Sequence, residues 1–272
     1  MKKIAFRLII FFVRKFLIIS IKNNKFEPLF SVKIIKMINH NLGKGSSGPT
    51  SIDYEVEVIK KLLNQEDDCL IVDSGANKGE YTEKLLKYYP NSNFVLFEPS
   101  EINYKYLINK FENFESIIIE KAGLSNKNDK VPLYFDNPGS RIASLSKRKL
   151  DHFDIEFSKS EEVKILKLED YWKENLDNKI IDLLKLDIEG YELFALEGSK
   201  KILKNIRNIQ FEFGGANIDS KTYFQDFWYF FSNYNFKIYR LSPIKLIEIE
   251  KYDESLEYFT TTNYIGINQD FI

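Results

Sequence analysis

Cysteine, histidine and long apolar runs are what this 272-residue chain has least of. The single cysteine, Cys69, cannot build a disulfide framework, which fits a reducing compartment. It stands at the start of an apolar run and reads as a core residue. The two histidines, His40 and His152, have no companion ligands at zinc-like spacing. No metal ligand set is assigned, and only an oxygen-ligated hard cation stays open. The uncharged run Leu8–Val13 falls far short of the ~20 residues a spanning helix needs. Arg14 and Lys15 follow it, whereas a secretory leader places its charges first and then a small-residue cleavage site. Net charge is only −1. There is no basic stripe and no base-stacking motif, so a nucleic-acid partner is not expected. No internal repeat is present.

What is there begins with an uneven charge distribution. Residues 1–22 hold Lys2, Lys3, Arg7, Arg14, Lys15 and Lys22 and no acid, interleaved with Phe6, Ile10, Phe11, Phe12, Phe16 and Ile19. Two readings stand. One is a basic amphipathic helix on an anionic membrane surface, making a cytoplasmic protein peripheral on the inner face of the membrane. The other is a helix packed on the main domain or on the second subunit of a homodimer. Residues 26–42 form a second apolar-basic patch. Gly43, Gly45 and Gly48 then spell G-x-G-x-x-G, but no clear strand leads into them and Pro49 interrupts any immediate helix. This reads as a linker or lid. Residues 1–50 are therefore an extension, and 51–272 one domain.

The stretch from Leu70 to Thr82 organises that domain. Leu70-Ile71-Val72 is an all-apolar run ending in Asp73, as in a central strand of a parallel sheet. Gly75 permits a sharp turn or a close approach to a ligand, and the helix after it starts with free N–H groups. In open α/β sheets, ligands bind at that strand end. The loop is a poor dinucleotide fingerprint, because Asn77 stands where the middle glycine would meet a pyrophosphate. Asp73 would repel a diphosphate and suits an ammonium or sulfonium. S-adenosylmethionine carries both charges, plus ribose hydroxyls. Glu98 follows Asp73 by 25 residues, close to the ~20 expected for a ribose-binding carboxylate.

Three stretches resemble the FkbM family of class I S-adenosylmethionine-dependent methyltransferases. They are Val72–Thr82, Phe97-Glu98-Pro99, and Leu184–Glu192 with Leu196-Glu197-Gly198 close behind. The likeness spans about residues 68–266, and the third stretch is the most family-specific. Ser74 departs from the family, which more often has Val there. The resemblance implies a Rossmann-like, doubly wound α/β fold: a mostly parallel seven-stranded sheet with an antiparallel C-terminal hairpin. It puts Asp73, Gly75, Asn77, Gly79, Tyr81, Thr82, Glu98, Pro99 and Ala122 around S-adenosylmethionine. Small residues at Ala122-Gly123 suit an adenine pocket, or simply a tight connection.

The rest of the chain alternates accordingly. Strands are expected at Phe94–Phe97, Ser116–Ile119, Ile180–Leu186, Ile209–Phe213, Phe236–Leu241 and Tyr258–Ile267. Residues 130–167 break the pattern with two short strands around a basic segment. Within it Arg141, Lys147 and Arg148 are either acceptor contacts or solvated surface. An aromatic helix through Phe224, Phe227 and Phe231 reads as sheet cover. Asp187 and Glu189, at the end of the fourth strand, are the candidate bases for a hydroxyl acceptor. Their alternation would send both to one face of an extended segment; Glu212 is a third candidate. The expected activity is O-methylation of a sugar or glycan hydroxyl, or of a small molecule. The competing classes are an NAD- or nucleotide-sugar-binding oxidoreductase and a non-catalytic assembly factor.

Overall fold

The computed structural model describes residues 11–16, 18–19, 28–45, 51–63 and 68–272. Most of the basic segment 1–22, Gly48 and the boundary at residue 50 lie outside them. The described part of the extension is helical: α1 (residues 11–16) and α2 (Pro28–Asn41). Helix α3 (Ser51–Leu62) leads into the domain, burying Val56 and Ile59.

The domain then alternates strand and helix. Strand β1 (Leu70–Ser74) is buried at all five positions. After it come α4 (Glu80–Leu86), β2 (Asn93–Phe97), α5 (Glu101–Lys110) and β3 (Ile117–Glu120). A short β4 (Gly123–Leu124), β5 (Asp129–Phe135) and β6 (Lys159–Leu166) form a separate sheet, in order β4-β6-β5. This sheet is the expected insertion. Then α6 (Leu168–Asn175), the fully buried β7 (Ile181–Leu186), α7 (Glu192–Glu197), β8 (Ile206–Phe213), α8 (Ala216–Ser220) and α9 (Phe224–Asn233) follow. Strands β9 (Phe236–Arg240), β10 (Ile247–Glu248) and β11 (Thr262–Asn268) complete the large sheet.

That sheet runs β10-β9-β11-β8-β7-β1-β2-β3. It has eight strands where seven were expected, because the two-residue β10 pairs antiparallel with β9 at one edge. Strands β1, β2, β3, β7 and β8 are parallel neighbours. Strand β11 is antiparallel to both β8 and β9 and lies between them. Parallel strands buried on both faces need apolar residues on both. Accordingly Val72, Leu184 and Phe211 pack on one side beneath α9, while Ile71, Leu183 and Ile265 pack on the other beneath α3 and α4. The aromatic helix is sheet cover as expected: Phe227 stacks on Phe211 at 4.9 Å between ring centroids. Cys69 is buried in the core and His152 is exposed.

Candidate active site

Strand order reverses at β1, whose neighbours β2 and β7 continue in opposite directions along the chain. A crevice at the carboxyl ends of such strands is where open α/β sheets bind ligands. Here it is a cavity of about 430 Å³, a size suited to a small molecule. Gly75 forms its floor with φ 80°. A β-carbon at this position would lie 1.9 Å from the carbonyl oxygen of Asp187, so only glycine fits. The N–H groups of Gly75 and Ala76 both donate to the carbonyl of Phe97, tying the β1 and β2 loops together. Asn77, at φ 49°, takes the left-handed conformation that asparagine tolerates.

Glu98 meets this turn. Its carboxylate accepts from the Asn77 N–H at 2.8 Å and from the Ser100 N–H at 2.9 Å. Burial pushes its pKa up to about 7, against the pull of those two N–H groups and with Asp73 and Glu161 pushing the same way. Asn77, Glu98, Pro99 and Tyr81 all line the cavity. Ala122, Gly79 and Thr82 do not. Ala122 is buried beside Gly123 and Leu124, which do line it. Gly79 caps α4 and packs against Phe111 and Leu107.

Asp73 also departs from expectation. It is fully buried and absent from the cavity wall. Its Oδ2 accepts from Thr82 Oγ1 at 2.8 Å, and its Oδ1 lies 3.3 Å from Lys185 Nζ. This strand-end acid supports the floor of the cavity through Thr82 and Lys185. Lys185 Nζ is also 3.3 Å from Asp187 Oδ2 and 4.9 Å from the centroid of the Tyr81 ring. Burial alone would lower its pKa, but Asp73, Asp187 and Glu55 outweigh that and hold it above the ordinary lysine value.

Next to the Gly75 turn, Asp187, Glu189 and Glu212 converge. One oxygen from each lies within 4.8 Å of the others, a spacing that an oxygen-ligated cation could span. The segment carrying the first two is not extended as expected. Glu189 has φ 52° and Gly190 φ 99°, and Glu192 accepts from the Ile188 and Gly190 N–H groups, so the chain turns at once. Both acids still reach one cavity. Glu189 is held by Arg148, Nη1 to Oε2 at 2.6 Å, and Arg148 reaches Asp219 as well. Burial and Asp187 push the Glu189 carboxyl up, while Arg148 opposes them. Glu212 is raised well above the usual range by burial and then by Asp187 and Glu189. No described cation pairs with Glu212.

The basic insertion contributes unevenly. Arg141 lines the cavity and pairs with Glu80, Arg148 orients Glu189, and Lys147 lies outside the cavity wall. Sequence reasoning missed three features. Glu55 of α3 is buried at the cavity wall, accepting from Gln210 at 2.8 Å and Asn263 at 2.9 Å. Lys185 had no role assigned within the Leu184–Glu192 stretch, and the structure places it between Asp73 and Asp187. Asn103 of α5 is 1% exposed, lines the cavity beside Pro99, and has a buried Oδ1 with no hydrogen-bond partner.

Comparison with known proteins adds the family. Methyltransferase 1 of Beauveria bassiana (strain ARSEF 2860) is 27% identical over 146 residues, covering 48% of this chain and 59% of that one. Methyltransferase sdnD of Sordaria araneosa is 29% identical over 181 residues, covering 56% and 68%. The match therefore spans about three-fifths of the first relative's length. Among solved structures, a SAM-dependent O-methyltransferase from Thermotoga maritima superposes with a TM-score of 0.42 at 11% identity, over 82% of this chain and 66% of that one. The methyltransferase FkbM domain profile matches residues 73–238, more than half of the chain. That span includes the Gly75 turn, Glu98 and the Asp187–Glu189 loop, and with it this chain belongs to the methyltransferase FkbM domain family.

Proposed function

We propose that the protein methylates a hydroxyl of a sugar or glycan, with S-adenosylmethionine as donor and a cavity carboxylate as base. One observation carries this reading: a single cavity is lined by the Gly75 turn, by Glu98 and by three convergent carboxylates. The wall fits the donor. Gly75 lets the turn after β1 pass against the Asp187 carbonyl and brings its backbone to the cavity wall. Glu98 has lone pairs to spare for ribose hydroxyls. The unpartnered Oδ1 of Asn103 can accept from the exocyclic amine of an adenine. S-adenosylmethionine, when bound, supplies an electrophilic methyl on a sulfonium.

The chain's own residues orient the acceptor and take its proton. Arg148 holds Glu189 and Lys185 neighbours Asp187. Glu212 has no such cation, and burial with its acidic neighbours raises its affinity for a proton, as a general base requires. The carboxylate-rich wall accepts hydrogen bonds from a neutral polyol and repels an anionic acceptor. These features favour a sugar.

Calorimetry with S-adenosylmethionine and with NAD tests the donor. Binding of the first alone is expected, weakened at least ~tenfold by Glu98→Ala. Glu212→Gln is expected to lower kcat by ~100-fold or more with donor affinity intact. A chelator should leave turnover unchanged. Activity lost to the chelator and restored by magnesium would instead assign the three acids to a cation.

A further inference from the structure

Residues 1–44 carry ten lysines and arginines and one glutamate; of the totals of 39 and 40, the remainder holds 29 basic and 39 acidic residues. The chain is thus a basic extension on an acidic domain. On α2, Val32, Ile35, Ile38 and the following Leu42 fall at the i, i+3, i+6 and i+10 positions of one helical face. They are 47%, 53%, 49% and 40% exposed. Lys36 flanks this face beside Val32, while His40 and Lys33 lie farther round the helix, and all three are exposed. Helix α1 repeats the composition, with Phe11, Phe12 and Val13 each at least half exposed and Arg14 and Lys15 beside them.

The base of α2 is fixed to the domain. Asn39 Nδ2 donates to Tyr258 Oη at 2.7 Å, and Arg240 Nε donates to the Leu42 carbonyl at 2.7 Å. At Gly43, φ 75°, a β-carbon would lie 1.8 Å from the carbonyl oxygen of Leu241, so the chain passes tightly against the end of β9. This anchorage lies at the catalytic edge of the sheet. Thr262 and Asn263, beginning β11, pair with Phe213 and Glu212, and Asn263 lines the cavity.

We infer that α1 and α2 dock on an anionic phospholipid bilayer and hold the open edge of the catalytic sheet toward it. An exposed apolar face flanked by lysines matches the interior boundary and headgroups of such a surface. No helix among the described residues is long and apolar enough to cross a membrane, so the helices lie on the surface. A two-fold dimer through this face would bring its lysines against their symmetry copies, whereas anionic lipid neutralises them. The contacts of Asn39, Leu42 and Gly43 at the end of β9 fix the orientation. The inference is independent of the methyl acceptor.

Full-length protein is mixed with sedimentable vesicles of phosphatidylcholine alone, or with phosphatidylglycerol at about 7:3. Pelleting with the anionic vesicles is expected, with little on the neutral ones, and release on raising salt from ~0.1 to ~0.5 M. Lys33→Gln with Lys36→Gln should weaken partitioning ~30-fold, at about fivefold per cation. Ile35→Ser with Ile38→Ser should abolish it at unchanged melting temperature. Equal binding to both vesicles, or none to either, overturns the inference. So does a stable dimer in light scattering that the Ile35→Ser and Ile38→Ser changes dissociate, because a second copy would then own this face.

Discussion

Lys185 sits inside the sheet with 5% exposure, its ammonium between the carboxylates of Asp73 and Asp187. Removing one partner of a buried ion pair leaves the other charged group desolvated and alone, which costs about 3–5 kcal/mol. Lys185→Met is therefore expected to lower unfolding free energy by that amount in urea titrations. Asp73→Ala should act on the same quantity, because Asp73 touches Lys185 and Thr82 and does not line the cavity. An undiminished midpoint in both variants would remove the pair from the stability of the fold. The sequence made Asp73 visible through its strand-end position beside a glycine. It could not reveal the partner, which lies 112 residues away and is brought close only by the β1–β7 pairing.

Helix α3 contributes Ile52 and Glu55 to the cavity wall, and Glu55 is its polar link to the site. Tyr81 Oη donates to Gln210 Oε1 at 2.7 Å, Gln210 Nε2 donates to Glu55 at 2.8 Å, and Asn263 completes the set. Four elements, α3, α4, β8 and β11, are joined by this buried chain. Gln210→Leu strips Glu55 of one donor and Tyr81 of its acceptor, so a loss of about 2–4 kcal/mol is expected. The double variant Gln210→Leu with Glu55→Leu should lose less than the two single losses added together, as a double-mutant cycle would report. Strict additivity would deny the coupling. The strands themselves were legible, β1, β2 and β7 among them. What joins them was not, since periodicity reports which face is buried and not what it meets. The reading of Asp187–Glu189 as extended failed for a local reason. Glu189 already takes positive φ, and Glu192 caps the loop from beyond it.

For the molecule as a whole, the acids of the site set an unusual pH dependence. Burial raises Glu98 and Glu192 to about 7 and raises Glu189 and Glu212 as well. In the unfolded chain these groups titrate near 4.3. Between about pH 4.5 and 8 the folded state thus binds more protons than the unfolded state, and stability falls as pH rises. The melting temperature of the free protein should drop by several degrees from pH 6 to pH 8. Lowered surface acids such as Glu83 and Asp136 act in the opposite sense, in more acidic solution. A bound cationic donor should flatten the fall, and a flat profile without it would contradict the burial of these carboxyls. The position of β11 has a consequence of another kind. This strand follows β9 and β10 in the chain yet lies inside them, between β8 and β9. A nascent polypeptide leaving the ribosome therefore cannot seat β9 beside its neighbour until residues 262–268 have emerged. Until then the growing sheet ends at β8 with an open, aggregation-prone edge.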